Sequence, residues 1–255
     1  MQLSLPRVRR LEAAGFRAFP STRLVYDGTW AVRLTAGNPA KRLNSVTPLD
    51  PGDTADMEHR VKLAREKFLG FGRPLIFRLS PLAPRPLEEH LDHRGWSRFD
   101  ESLVMTASLS GLDYSDTVEH VPLRNAGKWV DAYLQLSGDP VDRKPGLVEI
   151  ISSIQPEVGM FLVQEEDGEP VSVVRCVCEN DLAGIFELET GARHRRKGHG
   201  RAILLSALNW ARKQGARTAW LQVVADNEAA VRLYESCGFA EAYRYAYRAD
   251  PDTQA

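Results

Sequence analysis

The chain has 255 residues, 43% of them hydrophobic and 26% charged, enough apolar material for one large core or two modest ones. A net charge of −1 excludes bulk attraction to nucleic acid or an anionic membrane, and no window approaches the roughly 18–20 apolar residues that span a bilayer. Residues 1–10 carry no apolar run after their basic residues, so no signal peptide is expected. The three cysteines, Cys176, Cys178 and Cys237, show neither disulfide nor metal spacing. Buried reduced thiols, with Cys176 and Cys178 on one face of a strand, and a cytoplasmic protein are expected.

Val8 to Ala18 has helical spacing, and Pro20 marks the turn after it. Arg23–Tyr26 and Trp30–Leu34 read as strands around the hairpin signal Asp27-Gly28, with a third strand over Arg42–Val46. Met57–Leu69 is helical and is closed by Gly70 and Gly72. Leu75–Leu79 is a strand, Leu87–His93 a short helix, and Phe99–Leu109 a long strand. The polar stretch 110–120 is the expected linker, which gives an arrangement of residues 1–109, 110–120 and 121–250. Helices then follow at Asn125–Leu136 and Pro145–Ile154, and strands at Met160–Gln164 and Val171–Cys178 around Asp167-Gly168. Strand Ala183–Thr190 leads to helix Gly200–Lys213, strand Thr218–Val224, helix Glu228–Ser236 and strand Ala242–Arg248, with a frayed end beyond.

The halves end alike. Sliding Gly95-Trp96 onto Gly238-Phe239 fixes an offset of 143, at which Leu75–Leu79 falls on Thr218–Gln222, Gly72 on Gly215 and Phe77 on Trp220. Element order and glycine positions agree, so an internal repeat is expected.

Arg193 to Gly200 reads Arg-His-Arg-Arg-Lys-Gly-His-Gly and opens an apolar helical run. Glycines let backbone N–H groups approach an anion, and a helix start adds unpaired donors and the positive end of its dipole. The site is therefore a phosphate site. A solvated basic loop or an RNA-binding patch is the alternative use of such a run. A nucleotide P-loop would need Gly-Lys-Ser/Thr, and a dinucleotide fingerprint a third glycine; neither is present. At the offset of 143 the first half offers Gly52–Met57, where Asp53 and Asp56 replace the basic residues and would repel a phosphate.

The hexapeptide Arg195-Arg196-Lys197-Gly198-His199-Gly200, followed by Asn227-Glu228-Ala229-Ala230-Val231-Arg232-Leu233-Tyr234-Glu235-Ser236-Cys237-Gly238-Phe239, resembles the GCN5-related N-acetyltransferases (GNAT) over about the last hundred residues. The resemblance implies an α/β protein with a mixed sheet, built here of two tandem halves of which the first is degenerate. It also implies acetyl-CoA as co-substrate, bound by Arg195, Arg196, Lys197, Gly198, His199, Gly200 and Arg201, by main-chain groups of Leu188 and Thr190, and near Asn227. Asn227 also reads as a helix N-cap.

Glu187 and Glu189, two apart on one expected strand face, are the general-base candidates, with solvated edge residues as the plain alternative. Tyr234 occupies the family's tyrosine position and is the candidate acid for the leaving thiolate, a core aromatic being its alternative. No metal is expected. The implied reaction is direct acetyl transfer to a primary amine of a small molecule or peptide, and the resemblance implies an acceptor pocket built from Lys128–Ile154 and the face of the first half. A non-catalytic acyl-CoA-binding regulator is the alternative.

Overall fold

The computed structural model describes residues 4–115 and 117–251, and within them ten strands form one sheet. Asp116 of the expected linker and residues 252–255 of the expected frayed end lie outside the described residues. The strands are β1 Arg23–Asp27, β2 Trp30–Leu34, β3 Ser45–Pro48, β4 Ile76–Leu79, β5 Ser97–Ser108, β6 Glu157–Gln164, β7 Pro170–Glu179, β8 Leu182–Thr190, β9 Thr218–Val224 and β10 Ala240–Ala249. The helices are α1 Leu5–Ala18, α2 Met57–Gly70, α3 Arg85–His93, α4 Ala126–Ser137, α5 Lys144–Ser152, α6 His199–Lys213 and α7 Glu228–Ser236. Every element expected from the sequence is present. The third strand begins later than its pattern suggested, because Lys41–Leu43 winds into a 3₁₀ turn that buries Leu43.

The strand order is β1-β2-β3-β4-β10-β5-β9-β8-β7-β6. Only β3/β4 and β8/β9 are parallel. At the offset of 143, α3 falls on α7 from first residue to last, β5 and β10 begin together, β4 falls inside β9 and α2 inside α6. The two long last strands cross over: β5 pairs with β9, β10 pairs with β4, and β5 and β10 pair with each other at the centre.

Both faces of the central sheet are covered, which is why β7 and β9 read as nearly continuous apolar runs. Alternation separates the faces. Leu103, Met105, Leu221 and Val223 pack with α6 and α7, in a core that also holds Cys176, Cys178 and Cys237. Those thiols are buried and unpaired, with the Cys176 and Cys178 sulfurs 4.0 Å apart. Val104, Trp220, Tyr243 and Tyr245 pack on the other face with Val8, Leu11 and Ala14 of α1. The first helix of the chain thus covers strands from its second half. A separate cluster joins β2, β3 and β4 to α2 and α3 through Trp30, Phe68, Phe77 and Leu87. Among the described residues, no helix is long and apolar enough to cross a membrane.

Candidate active site

The site begins where two parallel strands separate. The β8/β9 ladder runs from Leu182↔Thr218 to Ile185↔Leu221 and stops there. Beyond Ile185, the edge of β8 that faced β9 has no strand against it. On its other edge β8 carries a bulge: Arg175 pairs with Phe186 and Val173 with Glu189, leaving one extra residue on β8. The extra residue is accommodated at Glu187, whose φ of 44° is left-handed, a costly conformation for a side chain with a Cβ.

The bulge breaks the alternation expected of Glu187 and Glu189, and their carboxylates reach different partners. Arg175, fully buried, donates from Nε and Nη2 to both Glu187 oxygens at 2.7 and 3.0 Å, and from Nη1 to the Ala18 carbonyl at 3.0 Å. The Glu189 carboxylate instead accepts from Arg195 Nη2 at 3.1 Å and from its neighbour's amide, Thr190 N, at 3.3 Å. The Thr190 carbonyl accepts from Arg195 Nε at 3.1 Å. Arg195 therefore ties the basic loop to the end of β8. Leu188 has no partner in the β7 ladder.

A cavity of about 250 Å³ opens at the separation. The second half lines it with Tyr133, Arg143, Glu187, Leu188, Gln222 and Tyr234, and the first half with Phe19, Asn38, Ala40 and Arg42. Tyr133 lies on α4, stacked on Trp129 with ring centroids 5.7 Å apart. Burial, then the charge of Glu187, pushes its phenol up to about 12. Tyr234 lies on α7, edge-on to Phe239, with its side chain 9% exposed. Burial, then Glu189 and Cys237, pushes its phenol up to about 12.

The basic loop follows β8. After a 3₁₀ turn at Ala192–His194, Arg196 and Gly198 take left-handed φ values of 61° and 85°. Left-handed residues among right-handed ones turn successive N–H groups toward one concavity, and α6 begins directly after Gly198. Arg193 is paired with Glu169, and His194 and His199 lie edge to face. Arg196, Lys197 and Arg201 are exposed and make no ion pair among the described residues. Three free cations around a helix start suit a pyrophosphate better than a single carboxylate. Asn227 caps α7, its Oδ1 accepting from Ala230 N at 3.2 Å. Among the described residues no group of three or more His, Cys, Asp or Glu side chains could hold a metal.

Sequence reasoning named the region 128–154 and the face of the first half without singling out Tyr133, Arg143, Asn38 or Arg42, and it missed Arg175 and Gln222 altogether. None belongs to a motif. Arg175 had one signal, a lone charge inside the apolar run of β7. Gly146 of α5 and Gly37 of the first half also meet beside the cavity: a Cβ at Gly146 would lie 2.1 Å from the Gly37 carbonyl oxygen. Gly146→Ala is expected to push the 37–42 loop away. The cost should be about 1–3 kcal/mol of stability, measured by denaturant unfolding, with a raised acceptor KM.

The comparisons with known proteins agree with this geometry. Residues 129–239 match the acetyltransferase (GNAT) family. The chain is 29% identical over 250 residues to the uncharacterized N-acetyltransferase YobR of Bacillus subtilis (strain 168), covering 95% of this chain and 97% of that protein. It shares its fold with a GCN5-related N-acetyltransferase from Kribbella flavida, at a TM-score of 0.68, 21% identity and 95% coverage of both chains. A second structure of the same fold is a tandem GNAT protein from the clavulanic acid biosynthesis pathway, at a TM-score of 0.62 and 14% identity over 96% of this chain and 86% of that one. The family match thus lies in the second half of the chain, over the segment that carries the cavity, the basic loop and α7, and along nearly its whole length the chain is similar to N-acetyltransferases.

Proposed function

We propose that the protein moves an acetyl group from acetyl-CoA directly to a primary amine, with one active site per chain. The observation that carries this reading is the junction of three features at one place. The β8/β9 separation, the cavity holding Glu187 and Tyr234, and the concave loop before α6 are contiguous along β8.

In this reading the pyrophosphate binds the loop N–H groups around Gly198, His199 and Gly200, with Arg196, Lys197 and Arg201 supplying charge. Arg195, held by Glu189, braces the loop against β8. The Leu188 main chain, free of the β7 ladder, bonds the pantetheine arm, with Thr190 and Asn227 beside it. The amine nitrogen attacks the thioester carbon and the C–S bond breaks. Glu187 takes the amine proton directly or through a water, since two of its lone-pair sites remain after Arg175 is satisfied. Main-chain N–H groups of β8 polarise the carbonyl. Tyr234, a neutral phenol throughout the physiological range, gives its proton to the leaving thiolate.

We also propose that the chain is a tandem of two halves, 1–109 and 121–250 around the 110–120 linker, which have exchanged their last strands. The first half would bind no acetyl-CoA, because Asp53 is taken up by Arg60 and Thr29 where the second half has its basic loop. The position of Tyr234 is occupied there by buried Leu91. The cytoplasm is the proposed location.

Acetyl-CoA titration of Arg196→Ala/Lys197→Ala tests the phosphate assignment. Binding is expected to weaken about tenfold or more, the equivalent of about 1.4 kcal/mol. Unchanged affinity would remove the loop from the cofactor site. Release of CoA in the presence of an amine panel, against none without amine, separates the enzyme from a regulator that only binds acyl-CoA.

A further inference from the structure

The cavity is lined by three charged side chains, and two of them are already neutralised by the protein. Glu187 is held by Arg175. Arg143 is paired with Asp139 at 2.6 Å. The third, Arg42, comes from the first half. It is half-buried, lies over the Phe19 ring with its guanidinium carbon 5.0 Å from the centroid, and makes no ion pair among the described residues.

The protein behind Arg42 does not supply the missing negative charge. A small void is shared by Arg42, Arg33, Arg78 and Glu12, which sets three guanidinium groups against one carboxylate. Glu12 is already bound by Arg78 and by the Tyr243 hydroxyl at 2.7 Å. Arg33 is satisfied only by neutral oxygens: the Arg42 carbonyl at 2.7 Å, the Phe19 carbonyl and the Ser21 hydroxyl. Burial, then the neighbouring Arg78, pushes the Arg33 guanidinium down to about 9, which leaves it charged at neutral pH. This wall of the cavity therefore carries uncompensated positive charge in a partly desolvated place, where an ionic partner is worth most.

We propose that the acetyl acceptor is a small amino carboxylate whose amine faces Glu187 on β8 and whose carboxylate is taken by Arg42 of the first half. A guanidinium binds a carboxylate through two parallel N–H bonds, which fixes orientation as well as charge. At about 250 Å³ the cavity falls just below the usual range for drug-sized ligands, roughly 300–1,000 Å³, and suits a molecule of amino-acid size. The offset of 143 places Ile185 at the position of Arg42, so this cation belongs to the first half alone and gives that half a task in the second half's site.

The assignment rests on the acetyl-transfer reading, and the experiment separates the two. Phenylalanine, phenylalaninamide and phenethylamine, and the corresponding glutamate-derived set, are offered at saturating acetyl-CoA while CoA release is followed. The acid of each set is expected to exceed its amide and its decarboxylated amine at least tenfold in kcat/KM. Arg42→Ala should abolish that preference through the acceptor KM and leave the acetyl-CoA KM unchanged, and Arg42→Lys should restore part of it. Equal use of acids and amides overturns the proposal, as does better use of O-phosphoethanolamine or of a peptide N-terminus. So does a loss in Arg42→Ala that is the same for acids and amides. Independently of turnover, N-acetylphenylalanine binding by ligand-observed NMR should weaken in Arg42→Ala and in Arg42→Gln, with thermal melts confirming that both are folded. Arg42-dependent binding without CoA release for any amine would refute acetyl transfer and leave the carboxylate site standing. CoA release with neutral amines only would do the reverse.

Discussion

Tyr234→Phe is expected to lower kcat by about 10²–10⁴-fold while acetyl-CoA binding, measured by calorimetry, stays within twofold. The substitution removes one oxygen and keeps the ring that packs edge-on against Phe239 at 5.9 Å, so the fold around α7 should survive. The expectation comes from where the hydroxyl stands. It lines the cavity, makes no hydrogen bond among the described residues, and belongs to a phenol that burial raises from 10.0 to about 12. A raised phenol keeps its proton at every ordinary assay pH. The sign also bears on stability. The fold favours the neutral form, so that contribution is present below pH 10.0 and lost as the pH rises through about 12. An alkaline decline in kcat at lower pH would have to come from another group. Unchanged turnover in the phenylalanine variant would leave Tyr234 as a packing residue and take the acid step away from it.

Arg175→Leu should be the most destabilising single change near the site. Arg175 is wholly buried and its guanidinium satisfies both oxygens of Glu187 and the carbonyl of Ala18. Removing it strands a carboxylate on a bulged strand beside Phe186, over whose ring the guanidinium carbon lies at 4.6 Å. Breaking a buried pair from one side costs about 3–5 kcal/mol, and for a chain of this size that corresponds to a Tm lower by roughly 10 °C. Arg175→Leu/Glu187→Leu should recover much of that loss in differential scanning calorimetry, because neither charge is then left alone. Its turnover should remain low, since Glu187 is the proposed base. Equal Tm values for the single variant and the unmodified protein would show that the bulge does not depend on this pair.

The order and kind of the elements were legible because their signals are local. Asp27-Gly28 and Asp167-Gly168 mark hairpins, Gly215 stops a helix, and Asn227 is the cap it resembled. The loop before α6 and the α7 segment were legible for the same reason: each is a short run of residues acting together. Three things were not. A left-handed φ at Glu187 has no sequence mark, since glutamate is an ordinary strand residue, and so the expected common face of Glu187 and Glu189 was lost to a bulge. The pairing of β5 with β9 and of β10 with β4 is made over a long chain separation, and no local pattern distinguishes it from pairing each strand with its nearer neighbour. The acceptor wall is assembled from Phe19, Asn38 and Arg42, isolated residues from loops whose meaning depends on α1 and the 37–42 loop reaching the second half.

The placement of β10 has a consequence for how the molecule is made. Until Ala240–Ala249 is present, β4 and β5 have no strand between them, and the central ladder through Ser102↔Tyr245 cannot close. The first 109 residues emerge from synthesis with one edge of β4 and both edges of β5 unfilled, and must wait for β9 and then for β10, which is encoded more than 130 positions later. A nascent chain halted between residues 110 and 230 would be expected to be protease-sensitive and prone to pairing with other chains. Completion of the last strand then closes the sheet between β4 and β5 and joins the strands of both ends of the chain in one ladder.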